Sequence, residues 1–173
     1  MFLELIATIV AGIAAAGIMM VITRASGGRL PKWLTPVAAG AAMIAATISN
    51  EYGWYGRTSK SLPDEFMIVD TVESKALYRP WTYVRPYVDR FAALDVQSVQ
   101  RHDEAPAMRM ADMYFFGRWA PVNKLSVIAD CAALRRAAVT EGVTLNADGS
   151  ATGAAWLPVP LDDPLVSTMC EVS

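Results

Sequence analysis

The sequence predicts a membrane-anchored α+β protein: an N-terminal two-helix transmembrane hairpin, then a small antiparallel-sheet extracytoplasmic domain with one disulfide. Three observations predict it. The first fifty residues are almost purely apolar, with Glu4, Arg24, Arg29 and Lys32 as their only charges. Beyond them charge returns, and strand-like runs alternate with turn residues. The only two cysteines, Cys131 and Cys170, both fall in that second part.

The first segment, Met1 to Thr23, has no proline and predicts a helix over about 2–23. At about 1.5 Å per residue it reaches roughly 34 Å, enough to cross a hydrocarbon core of about 30 Å. A cleaved signal peptide is the alternative, with Ala14 to Gly17 as its cleavage site. Such peptides begin with a basic region, whereas this one begins with Glu4, so an anchor is the reading adopted. Glu4 itself is near a helix end, within reach of the headgroups.

The second segment predicts a helix over about 33–55, with Pro36 in its first turn, where a missing N–H costs little. Trp33 marks one end and Tyr52, Trp54 and Tyr55 the other, a spacing that suits two aromatic membrane-interface belts. Asn50, Glu51 and Arg57 then read as an interfacial exit, with Gly53 and Gly56 loosening the helix there. A buried helix of a soluble core is the alternative. Small residues at four-residue spacing, Ala7, Ala11 and Ala15 on one segment and Ala38, Ala42 and Ala46 on the other, permit close helix approach in lipid.

The connection Arg24 to Lys32 holds three basic residues and no acidic one. The positive-inside rule puts it in the cytoplasm, so both termini and everything after residue 57 are expected on the periplasmic side of a bacterial inner (cytoplasmic) membrane. Residues 51–173 carry twelve Lys and Arg against sixteen Asp and Glu, leaving no basic field for nucleic acid.

Residues 58–75 are polar, contain Pro63 and read as a linker; residues 76–173 read as the periplasmic domain. Its start, "ALYRPWTYVRPYVDRF", interleaves aromatic and basic side chains and holds Arg-Pro twice. Proline excludes a continuous helix and biases the preceding residue towards extended geometry. Tyr78, Arg79, Trp81, Tyr83, Arg85 and Tyr87 form a candidate partner-docking surface, because aromatic and Arg side chains dominate binding hot spots. A half-buried extended segment with internal stacking is the competing account.

Further on, "AMRMADMYFFGRW" and "NKLSVIADC" have strand character, and "CAALRRAAV" is helix-permissive. "GVTLNADGSATGAAWLPV" has the outline of a hairpin turning at Asn146-Ala147-Asp148-Gly149, with Gly149 suited to positive φ. Cys131 and Cys170 form no metal-ligand pattern, and in an oxidising compartment they are expected to pair. Two unrelated buried thiols are expected instead if the domain is cytosolic.

"LDVQSVQR" with Asp95, Ser98 and Arg101, then "ADC" followed by Arg135-Arg136, "ADGS", "WLPVP" and a last cysteine occur in that order. This succession, over roughly 95–170, resembles the small bacterial envelope domains of the surface-adhesin E type. The resemblance implies an envelope location, a disulfide and an α+β fold; it implies no catalytic residue. Domains of that type are commonly lipoprotein-anchored or secreted, where this chain has two apolar segments.

Catalytic signals are sparse. His102, the single histidine, sits in "QRHDEAP" beside carboxylates; a general base, a metal ligand and a solvated loop are the readings open to it. There is no G-x-S-x-G elbow, phosphate-binding loop or dinucleotide fingerprint. Asp162-Asp163-Pro164 lacks the spacing of a calcium loop and reads as a proline-terminated turn. No catalytic, cofactor-binding or metal-ligating residue is therefore assigned. The function expected is a non-catalytic accessory or assembly subunit, with the bilayer and a larger membrane complex as partners. A membrane-anchored ligand-binding or adhesin-like module is second, and an enzyme resting on His102 third.

Overall fold

The computed structural model describes residues 2–146 and 148–171. The chain divides into two compact units, Met1–Arg57 and Thr58–Ser173.

The first unit holds α1 (Phe2–Ala25) and most of α2 (Leu34–Lys60). Inside α1, Thr8 and Thr23 turn their hydroxyls back to the carbonyls of Glu4 and Met19, at 2.9 and 2.8 Å. That bond conceals the polar groups of an otherwise apolar helix. Gly27 and Gly28, both at positive φ, end the helix, their N–H groups bonding back to Arg24 and Thr23. Apolar side chains such as Leu3, Ile13 and Val21 are exposed around α1. Among the described residues α1 alone is long and apolar enough, by length and composition, to cross a membrane. The second expected span, α2, is long enough, but Asn50, Glu51, Arg57 and Lys60 interrupt its apolar run. It also continues through Gly53 and Gly56 to Lys60 rather than loosening there.

Gly12 is the buried residue of α1; a Cβ at that position would lie 2.8 Å from Met43 Cγ of α2. Of the two alanine stripes, Ala11, Ala15, Ala38, Ala42 and Ala46 are half-buried, and Ala7 is exposed. Arg57 Nη2 reaches Glu4 Oε1 at 3.4 Å and donates to the Asn50 carbonyl at 3.3 Å. Arg57 is thus still helical and engaged, not the first residue of an aqueous linker.

The second unit is an α+β domain built on a curled antiparallel sheet. In chain order its elements are β1 (Phe66–Ser74), α3 (Trp81–Val84), β2 (Tyr87–Asp95), β3 (Gln100–Arg101), β4 (Met108–Gly117), β5 (Asn123–Asp130), β6 (Arg135–Ala138), β7 (Thr144–Leu145), β8 (Ala151–Thr152), β9 (Leu157–Pro158) and α4 (Pro164–Glu171). The sheet order is β1-β2-β4-β5-β6-β9, with β3 also on β4 and β7-β8 as a separate ribbon. Two sequence expectations are corrected here. Residues 66–74, read as linker, form β1, which pairs along its whole length with β2. "CAALRRAAV" is not helical: a turn over Cys131 to Leu134 leads into β6, which pairs with β5. Ladder pairing there outweighs the helix propensity of its alanines. The expected turn at Asp162-Asp163-Pro164 is present, closed by the Asp163 N–H on the Pro160 carbonyl at 3.1 Å, and it leads into α4: Asp163 Oδ1 accepts the Val166 N–H at 3.0 Å as an N-cap, and Pro164 takes the first helical position.

The expected hairpin is present as β7-β8, with Thr144 opposite Thr152 and Gly149 at φ +78°; its Ala147 lies outside the described residues. Side-chain alternation gives the sheet two faces. On one, Leu165, Val166 and Met169 of α4 pack on Leu94, Ala111, Val127 and Ala129. On the other, Phe91 stacks on Phe116 at 4.8 Å, and Phe66 meets Tyr114 edge-on at 5.2 Å. The Cys131–Cys170 disulfide ties the end of α4 to the turn after β5.

Candidate functional site

The aromatic-basic stretch forms the connection between β1 and β2, residues 75–86. Pro80 starts a single helical turn, α3, and its φ of −58° suits that position. The turn ends at Arg85, which is extended at φ −138° before Pro86, as expected of a residue preceding proline. Only one turn fits between the two prolines, so a segment expected to be extended is partly helical.

Thr82 holds the loop together. It is fully buried, donates to the Arg79 carbonyl at 2.7 Å and accepts from the Ala76 N–H at 3.0 Å. Ala76 and Arg79 also close a bridge of their own. With Thr82 inward, the neighbouring side chains turn outward: Leu77 is 88% exposed, Tyr78 75%, Tyr83 54% and Val84 90%. Trp81, at 36%, lies at the margin of this surface. Five large apolar side chains thus stand on one short, internally braced loop.

The six residues singled out from sequence do not share one fate. Tyr78, Trp81, Tyr83 and Arg85 are on the outer surface. Tyr87 is buried at the start of β2. Arg79 lies between Tyr78 and Tyr87, its guanidinium 5.1 and 5.9 Å from their ring centres, and donates to Tyr87 Oη at 3.3 Å. Internal stacking therefore accounts for Arg79 and Tyr87, and an exposed surface for the others. Leu77 and Val84, which composition did not single out, are the most exposed members. Val84 directly precedes Arg85-Pro86, and Leu77 lies two residues before Arg79-Pro80.

Of the four expected interface aromatics, Trp33 is exposed at the start of the second helical region. Tyr52, Trp54 and Tyr55 are half-buried within α2.

A second constellation surrounds the disulfide. Burial alone would raise the Asp130 carboxyl pKa. Hydrogen bonds from the Ala133 and Ala132 N–H groups and the facing Arg135 guanidinium hold it below the ordinary value. Arg135 grips Asp130 Oδ2 with Nε and Nη2 at 3.0 and 2.9 Å, and stacks on Trp156 at 4.6 Å. Leu134 takes φ +49° to bring Arg135 into place. Across the sheet, the Lys124 ammonium 2.8 Å from Asp112 lowers that carboxyl and is itself held up by it. These pairs are structural braces.

His102 is half-buried with Nδ1 packed beneath Gly149, not in a solvated loop. Comparison of the chain with protein-family models, with curated proteins and with solved structures gives no match in any of the three. Fold and surface alone define its class: an α+β domain with a braced apolar loop, joined to an exposed apolar N-terminal helix.

Proposed function

We propose that this chain is a non-catalytic accessory or assembly subunit of a bacterial inner-membrane complex. In this reading α1 and the alanine-rich start of α2 form a transmembrane hairpin, with residues 24–32 cytoplasmic and the disulfide-closed domain periplasmic. The loop at 75–86 is the docking surface of that domain. The observation that carries the reading is the outward display of Leu77, Tyr78, Trp81, Tyr83 and Val84 around the buried Thr82. A soluble domain has no internal use for such a cluster, and a rigid aromatic patch is the commonest form of a binding hot spot. The Gly12–Met43 approach and the Glu4–Arg57 pair support the helix pairing.

The test is purification of the tagged full chain in mild detergent, with a photo-crosslinker in place of Tyr78 or Trp81. One larger protein in fixed ratio, crosslinked from both positions and lost in Trp81→Ala, is the expected result. A lone monomer under several gentle detergents, with no crosslink, overturns it. Protease access from each side of the membrane and a mobility shift on reduction test the topology. A second reading, a membrane-anchored ligand-binding or adhesin-like module, is favoured by a cavity elsewhere in the domain.

A further inference from the structure

The helix α4 is eight residues long, about 12 Å, whereas six strands about 4.8 Å apart make a sheet roughly 24 Å across. Part of the face on which α4 packs is therefore left uncovered. A cavity of about 490 Å³ lies there, at the N-terminal end of the helix. Strand register sets its floor. Asp70, Ala92, Phe115 and Asn123 stand opposite one another in a single row across β1, β2, β4 and β5. Leu94, Met113 and Leu125 form the next row of the same face, since alternate residues of a strand share a face. Leu94 packs against α4, so both rows belong to the α4 side of the sheet. Ala92, Met113, Phe115, Leu125 and Val127 make the floor apolar, and Leu165 of α4 forms one wall.

Three charged side chains line this cavity: Asp70, Arg136 and Asp163. Two of them neutralise each other, because Arg136 Nη1 lies 3.4 Å from Asp163 Oδ2, and Asp163 is also the N-cap of α4. Asp70 makes no ion pair and no side-chain hydrogen bond among the described residues. Arg90, one row further along the same face, reaches Asp89 instead, at 3.4 Å. Aspartate is disfavoured within strands, yet Asp70 stands beside the bulge of β1 with Ala92 as its cross-strand neighbour. An apolar cavity with one uncompensated carboxylate is complementary to an organic cation.

We infer that this cavity binds a primary ammonium ion with an unbranched aliphatic body. The ammonium donates to the Asp70 carboxylate, while the aliphatic part lies over Ala92, Phe115, Met113 and Leu125. A neutral chain of the same length gains no charge-assisted bond there, and an anionic one meets repulsion from Asp70. This goes beyond the docking role and does not depend on it. The competing role for Asp70 is protection of the β1 edge, since an inward-facing charge discourages edge-to-edge pairing.

The nine methionines supply the probes. The full chain, isotopically labelled at its methionine methyls, is titrated in detergent micelles with n-hexylammonium, n-hexanol and hexanoate and followed by NMR. Met113→Leu identifies the Met113 signal. Met110, on the opposite face of β4, and Met19 and Met20, in α1, report any general effect of the amphiphile on domain and micelle. Hexylammonium is expected to shift Met113 saturably while those three signals move only in proportion to concentration. Hexanol and hexanoate should bind about ten-fold more weakly or worse, the value of one charge-assisted hydrogen bond. Asp70→Asn, at an exposed edge-strand position, should weaken the ammonium by the same factor. Ala138→Leu, which narrows the cavity opposite Val127 without changing charge, should abolish saturation. The inference is overturned if hexanol or hexanoate matches hexylammonium, if Met113 responds no differently from Met110 and Met19, or if Asp70→Asn binds as the parent does. Self-association of Asp70→Asn, with no saturable ammonium response in the parent, assigns Asp70 to edge protection and overturns it as well.

Discussion

Replacing both Cys131 and Cys170 by alanine should lower the melting temperature of the disulfide-bonded α+β domain by about 16 °C. The bridge closes 39 residues of sequence, for which loop-closure entropy gives about 4 kcal/mol. The unit Thr58–Ser173, at roughly 2 cal/mol/K per residue, unfolds with an entropy of about 0.24 kcal/mol/K, and the quotient is the shift. The bridge bears on the core as well, because Cys170 follows Met169, which is fully buried against the sheet with Leu165 and Val166. Near-UV circular dichroism melts of the full chain, parent against double variant, read the shift. Thiol titration of the denatured parent before and after reduction counts the cysteines in the bridge. Two reactive thiols before reduction, or melts within about 3 °C of each other, would refute the reasoning.

Asp130→Asn should cost about 1–2 kcal/mol at neutral pH, allowing for the partial exposure of Arg135. Because the folded Asp130 pKa is depressed, its contribution is complete above the unfolded value of about 3.9 and disappears as pH falls through the folded value. Urea melts of parent and variant should therefore differ at pH 7 and converge in strong acid; a constant difference across that range counts against the assignment. Gly149→Ala should destabilise by about 1–3 kcal/mol. Its φ is +78°, and a Cβ there would strike Ala105 Cβ and sit 3.1 Å from His102 Nδ1. Hydrogen exchange of the β7-β8 amides, accelerated in this variant ahead of the β4-β5 amides, checks that the loss is local.

The strongest sequence signals were those whose physics is local. The run Phe2–Ala25 has no proline and no charge between Glu4 and Arg24, so its helix was legible at once. The alternating aliphatic and aromatic runs of β4 and β5 were equally plain, and Gly149 announced its turn. Failures came where a distant partner decides. Phe66–Ser74 has few strong signals of its own and becomes a strand because β2 offers it a ladder. Arg135–Ala138, alanine-rich, is held extended by β5 on one side and β9 on the other. The helix α4 was announced by Asp163-Pro164, an N-cap followed by a first-turn proline, a signal that the short stretch before the last cysteine obscured.

The same division runs through the sites. The sequence by itself determined the apolar N-terminal helix, the two-part organisation of composition and the aromatic-arginine character of the stretch after β1. Each follows from residue type and spacing along the chain, while the structure decided between a bridge and two free thiols at Cys131 and Cys170. Only the tertiary structure decided which of those aromatics face outward, since that depends on Thr82 turning in and Tyr87 joining the core. Nor does the spacing of Asp70, Ala92 and Phe115 along the chain reveal that they line one cavity. Antiparallel pairing sets them in one row across the sheet, on the face that α4 covers only in part. Contacts between residues far apart in sequence settle burial, and burial settles which side chains are braced inside and which are displayed outside.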